Sequence, residues 1–87
     1  MHIFLKPRFS KLFQELPNDL QKEVLEKLEL FRNPANHKVL RVHKLHGKMK
    51  DCYSFSITYS LRVVFRYEDK TKSSAVLLAI GDHEVYN

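Results

Sequence analysis

The sequence predicts an α+β fold in which a helical hairpin covers one face of an antiparallel sheet, and three observations carry that expectation. Apolar side chains recur at helical spacing from Phe9 to Phe31, residues 52–59 alternate apolar with small polar side chains, and residues 74–81 are apolar almost throughout. Helices striped in this way need something flat to cover, and the strand-rich second half supplies it.

Each element can be justified in order. The run "HIFL" closes at Lys6-Pro7 and reads as a first strand, and Pro7 suits the first turn of a helix. Phe9, Leu12, Phe13 and Leu16 then form the stripe of a short helix that ends before Pro17. Asn18 is placed to cap a second helix with Gln21 three residues on, and Asp19 is the alternative cap. Leu20, Val24, Leu28 and Phe31 give that helix its apolar face, and "RNPAN" ends it in a turn. In "CYSFSITY", Tyr53, Phe55, Ile57 and Tyr59 alternate with Cys52, Ser54, Ser56 and Thr58, the period of a strand. "LRVVFRY" follows after a very short turn, "EDKTKS" is a polar hairpin loop, and "SAVLLAIG", apolar on both faces, is expected to lie buried within the sheet. The order is an N-terminal strand, a helical hairpin and an antiparallel β-meander, in one domain spanning 1–87.

Composition narrows the functional classes. The 87 residues support one modest core, with 44% apolar, 11% aromatic and 29% charged residues, the balance of a folded globular domain. No apolar stretch approaches the roughly 20 residues that span a bilayer, and "MHIFLKPRF" has no signal-peptide pattern, so a cytoplasmic protein with no membrane partner is expected. Cys52 is the only cysteine, which leaves no internal disulfide and no cysteine-based zinc cluster. The formal charge is +5. Its distribution says more than its size: from Leu30 to Lys50 there is no acidic residue, while Arg32, Lys38, Arg41, Lys44, Lys48 and Lys50 are joined by His37, His43 and His46. A one-signed segment beside a mixed one is the pattern of a phosphate-facing patch, the alternative being a solubilising loop with strand-edge lysines.

The sheet face away from the helices is where function is expected. If the aromatic side of "CYSFSITY" packs on the helices, then Cys52, Ser54 and Ser56 point the other way, with Arg62 and Arg66 on the next strand. Counting back through the hairpin with regular pairing, Arg62 lies opposite about residue 79, and His83 emerges at the same end of the sheet. The Lys48–Lys50 segment leads into the neighbouring strand.

These residues are familiar as a set. Leu45-x-Gly47, the strand opening "DCY", Leu61-Arg62-Val63 and the closing Gly81-x-His83-x-Val85-Tyr86, in this order and spacing, resemble the RelE/ParE superfamily of bacterial type II toxins over essentially the whole chain. The resemblance implies a RelE-like fold of two helices on an antiparallel sheet, a cognate antitoxin as partner, and one of two activities. RelE-like members cleave mRNA in the ribosomal A site without metal; ParE-like members poison DNA gyrase as binding inhibitors.

Carried over residue by residue, the resemblance makes Arg62 the contact to the scissile phosphate, His83 the second basic group, which several relatives fill with histidine, and Tyr86 the stacking or orienting tyrosine. Two strand lysines of RelE correspond to Ser54 and Ser56, a departure that favours the inhibitor reading. The His-x-Leu-x-Gly step of the histidine-using relative YafQ is matched at His43, while that relative's further His and Asp positions fall near Ser56 and Ser60.

The residue types fit the chemistry. Metal-free RNA cleavage needs a proton taken from the 2′-hydroxyl, charge held on the phosphorane and a proton given to the 5′-oxygen. Imidazole, with an ordinary pKa of about 6.5, suits either transfer, guanidinium suits the phosphate, and a tyrosine ring stacks on an unpaired base. The candidate catalytic residues are therefore His83, Arg62 and Tyr86, with His43 or His46 as the second proton-transfer group, His43 favoured by the family step and His46 by adjacency to Gly47. Lys44, Lys48, Lys50, Arg66 and Arg41 are the candidate RNA contacts, and mRNA on the ribosome is the expected substrate. No cofactor is called for; metal binding by His43, His46 and His83 is disfavoured because no carboxylate sits at ligand spacing beside the first two. His2 and His37 read as ordinary surface histidines. Arg62 alternatively blunts a strand face or meets an acidic antitoxin segment, and Tyr86 is alternatively a core-edge aromatic. Deleting the last five residues is expected to leave the fold nearly intact and to abolish activity.

Overall fold

Pro7 opens the first helix, where its missing N–H would have had no helical partner and its fixed φ already suits the turn. That helix, α1 (Pro7–Gln14), follows strand β1 (His2–Leu5) and precedes α2 (Asn18–Phe31). Then come a 3-10 turn at Pro34–Asn36, a short strand β2 (His43–Lys44), a 3-10 turn at Gly47–Met49, and strands β3 (Tyr53–Ser56), β4 (Arg62–Tyr67) and β5 (Ser74–Gly81). The computed structural model describes residues 1–82 and Val85, with the backbone alone at Lys48. The α+β fold with its helices on one sheet face is as predicted; β2 had no strand signal, being only two residues on a polar edge.

The five strands form one sheet in the order β1-β5-β4-β3-β2, with β1 parallel to β5 and the other pairs antiparallel. β5 has a neighbour on both sides, which explains its apolar run: it is covered above and below and flanked by strands. Phe9 from α1 and Val24 and Phe31 from α2 are buried against Phe55, Val63, Phe65, Ala75 and Leu77 of the sheet. Phe31 is the centre of this core, stacked on Phe55 with ring centroids 4.5 Å apart and edge-on to Phe65 at 4.8 Å.

Four local expectations are corrected. Neither Asn18 nor Asp19 caps α2; Pro17 occupies the cap, and Asn18 is already helical. Gln21 instead turns back on the preceding helix, its Nε2 donating to the carbonyls of Phe13, Gln14 and Leu16 at 3.1, 3.3 and 3.0 Å. An amide has two N–H donors, so one is shared among these acceptors, and the hairpin is closed by a side chain rather than by a capping box.

The alternating strand also ends early. β3 stops at Ser56, and the amides of Ile57 and Thr58 both donate to the Leu61 carbonyl while Thr58 Oγ1 accepts from the Leu61 amide. Thr58 closes a turn there, so Tyr59 leaves the aromatic face and stands 91% exposed. His37, expected as a bystander, is built into the fold: its ring stacks on Phe31 at 4.8 Å and its Nε2 donates to the Phe31 carbonyl at 2.9 Å, satisfying an end of α2.

The fourth correction is the register. Tyr67 pairs with Ala75, Arg66 with Val76 and Phe65 with Leu77, but Val64 then pairs with Ala79. The extra residue, Leu78, is a bulge, and beyond it Arg62 faces Gly81 rather than residue 79. The far face of the sheet is not bare either. Leu45, Val64, Ala79 and Val85 are buried there in a second, smaller cluster, and the Val85 amide donates to the Asp82 carbonyl at 3.0 Å.

Candidate active site

The pairing of strands places two rows of residues on the sheet face opposite the helices. One runs His43, Ser54, Val64, Ala79; the next runs Ser56, Arg62, Gly81. Arg62 and His43 thus lie on the same face, one row apart and with β3 between their strands, as period-two alternation demands. Both line a cleft of about 460 Å³ that opens at this end of the sheet toward the end of α2 and the residue 39–41 loop.

His43 is exposed and its tautomer is set by a neighbour. Its Nδ1 lies 2.9 Å from the Arg41 carbonyl. A carbonyl only accepts, so Nδ1 carries the hydrogen and the neutral ring offers Nε2 as a free lone pair. Arg41 has φ +60°, a left-handed conformation rare for a side chain of its size. That conformation lies in the turn that returns the chain from Leu40 toward β2 and that supplies the carbonyl holding His43.

Arg62 is half-buried, and its Nε is buried with no hydrogen-bond partner among the described residues. Its Nη2 has one long contact, to the Tyr59 carbonyl at 3.5 Å, and no carboxylate pairs with it among those residues. The residues lining the cleft include no Asp or Glu; the cations are Lys27, Arg41 and Arg62. Lys27 is shared with Glu23 at 3.3 Å, which leaves Arg41 and Arg62 as the positive charges least compensated there. An incoming anion therefore meets guanidinium groups that hold no competing ion pair.

The remaining predicted residues do not converge on this point. His46 and the Gly47–Met49 turn follow β2 at the opposite end of β3, roughly 10 Å or more along the strand direction from the Arg62 row. The geometry so separates His43 from His46. Lys48 and Lys50 belong to that same distant segment, and Lys44 shares the Tyr53 row, on the other face of the sheet from His43. Arg66 is four residues up β4, beside Glu68 at 4.0 Å, and lines a separate hollow with Phe4 and Leu5. His83 and Tyr86 lie outside the described residues. Ser54, one of the two serines standing for lysines, is fully buried, and Ser56 lines the cleft.

Sequence reasoning missed Tyr59 and Lys27. Tyr59 was assigned to the inner face by alternation, and only the Thr58 turn shows otherwise; Lys27 is one of several lysines on α2 with nothing local to single it out. Burial, with Asp51 adding to it, raises the Cys52 thiol pKa above its ordinary value, only partly offset by Arg66. Among the described residues no group of three His, Cys, Asp or Glu could hold a metal ion, and no helix is long and apolar enough to cross a membrane.

Comparison with known proteins matches no family model and no curated protein. Solved structures do match. A conserved hypothetical protein of Helicobacter pylori shares 22% identity with a TM-score of 0.73, over 97% of this chain and 96% of that one. The archaeal RelE–RelB complex of Pyrococcus horikoshii matches at 18% identity and TM-score 0.72, over 93% and 92%. YafQ of Escherichia coli matches at 15% and 0.69, over 97% and 94%. At these identities it is the fold that is shared, and the fold is that of the RelE/YafQ toxins.

Proposed function

We propose that this chain, which has the fold of RelE-type toxins, is itself the toxin of a type II toxin–antitoxin pair and acts as a metal-independent endoribonuclease on mRNA, with the ribosome supplying the substrate. The observation that carries the reading is the pairing of Arg62 and His43 in one cleft without a carboxylate, with Nε2 of His43 left open by the Nδ1 contact to Arg41. In this reading His43 Nε2 takes the proton from a 2′-hydroxyl, the 2′-oxygen attacks phosphorus, and the 5′-oxygen leaves with a proton from a second acid. The product ends are a 2′,3′-cyclic phosphate and a 5′-hydroxyl. Arg62 holds the non-bridging oxygens as charge accumulates. We assign the second acid to His83, two residues beyond Gly81, the partner of Arg62, and the orienting role to Tyr86, both on the resemblance of the closing sequence to the family pattern.

A cognate antitoxin follows from the same reading. The net charge of +5 calls for an acidic partner, and a toxin needs one that covers the cleft. A second reading, a ParE-like binding inhibitor, is favoured by one observation: Ser54, which stands for a strand lysine, is fully buried and offers no group at the surface.

Induced expression followed by mapping of RNA ends decides between them. The nuclease reading predicts growth arrest with new 5′ ends clustered within codons, relieved by Arg62→Ala. Arrest with intact mRNA and broken DNA overturns it in favour of the inhibitor.

A further inference from the structure

We propose that the cleft beside Arg62 receives one unstacked base of single-stranded RNA, with the ring of Tyr59 as its stacking surface and Arg41 and Arg62 on the flanking phosphates. The choice of RNA rests on the nuclease reading; what is added is the residue that holds the base and the strand state the cleft accepts.

Four features meet here. Tyr59 is 91% exposed, so its ring is open to a planar ligand, and it stands on a turn fixed by the Leu61 bonds to Ile57, Thr58 and the Thr58 hydroxyl. The Tyr59 carbonyl is also the one contact of the Arg62 guanidinium, so ring and cation share one mount. The cleft lining is apolar beneath, through the buried Leu40 and Ile57, and Val39 stands beside it 78% exposed. Its rim is cationic, with Arg41 held at φ +60°. A large apolar side chain left in water beside unpaired guanidinium groups is the arrangement that binds unpaired bases: the ring covers the base and the cations take the backbone. Duplex RNA hides its base faces and cannot use Tyr59. An acidic amphipathic peptide would meet the same floor and rim, but it would cover a ring edge-on within a groove, whereas this ring projects from a hairpin tip.

The test is binding of a fluorescent 2′-O-methyl RNA hexamer, which lacks the attacking hydroxyl, to the purified full chain and its variants. Tyr59→Ala is expected to weaken binding about tenfold, the loss of one stacked base, and Tyr59→Phe to stay within about twofold. An abasic position in the hexamer should reproduce the Tyr59→Ala loss, and the two losses should not add. Because Tyr59 is exposed, the variants should melt with the parent. Failure of the parent chain to bind, equal binding by Tyr59→Ala, equal losses in Ala and Phe, or equally tight binding of duplex each overturns the proposal. So does release of a co-purified acidic partner protein by Tyr59→Ala with hexamer binding unchanged, which would make the cleft a protein surface. The two readings separate cleanly: Tyr59-dependent binding with uncut mRNA removes the nuclease and keeps the base site, while cut mRNA with Tyr59-independent binding does the reverse.

Discussion

Arg62 on β4 faces Gly81 on β5, and Val85 folds back over the sheet beside Gly81. A Cβ at Gly81 would stand 3.5 Å from the Val85 Cβ, ordinary contact, so the glycine is filled by its neighbour rather than open to water. The bulge at Leu78 is what brings these two residues opposite one another; continuing the pairing of Tyr67 with Ala75 would have set Arg62 against Ile80.

The site geometry predicts a division among the basic residues. His43→Ala should lower mRNA cleavage by about 10²–10⁴-fold, the contribution of a positioned general base. Arg62→Lys should keep only part of the activity, because an ammonium does not reproduce the two-pronged hold of a guanidinium. His46→Ala should cleave at the parent rate. Cleavage assays with translating ribosomes check all three, and a His46→Ala loss matching His43→Ala would show that the site lies elsewhere on the face.

Gln21→Ala should destabilise the fold by about 1–2 kcal/mol, since it removes the donor serving the end of α1 and leaves part-buried carbonyls without it. Asn18→Ala should be near neutral, because Asn18 makes no capping bond. Urea denaturation of the two variants gives the comparison, and the reverse order would restore the capping box.

The last residues have a structural share. Val85 is buried against Val64, Ala79 and Leu45, so Val85→Ala should cost about 1–2 kcal/mol and deletion of residues 83–87 at least as much. The burial of Val85 weighs against the expectation that this deletion leaves the fold nearly intact. Loss of activity on truncation reports folding and chemistry together, and the substitution His83→Ala with its melting curve separates them.

Acid stability should carry the mark of Asp69. Hydrogen bonds from Ser73, then Thr71, hold its carboxyl below the usual carboxylate range. A depressed folded-state value means the ionised form is favoured in the fold: its contribution is complete above the ordinary carboxylate value, about 3.9, and is lost as pH falls through the folded-state value. Carboxyl NMR titration should give Asp69 a midpoint below that ordinary value, and Asp69→Asn should flatten the acid limb of the stability curve. A midpoint at or above it would mean the loop bonds do not favour the carboxylate.

Much was legible in the residues themselves. Period-two alternation gave β3 and β4, the doubly apolar run gave β5 its central place, and two helical stripes with prolines at their borders gave the hairpin, because each of these signals is local and repeats along the chain. Charge distribution marked the segment from Leu30 to Lys50 as cationic, though only part of it lines the cleft, and the family-like motifs together with residue type nominated Arg62 and His43. What the tertiary structure decided were relations between segments that no local pattern encodes. The bulge chose the partner of Arg62, the Thr58 turn put Tyr59 in water, the direction of β2 kept His43 and carried His46 away, and Gln21 bonded across the hairpin instead of capping its own helix. Periodicity fixes which face a side chain takes; only register and turn geometry fix which neighbour it meets.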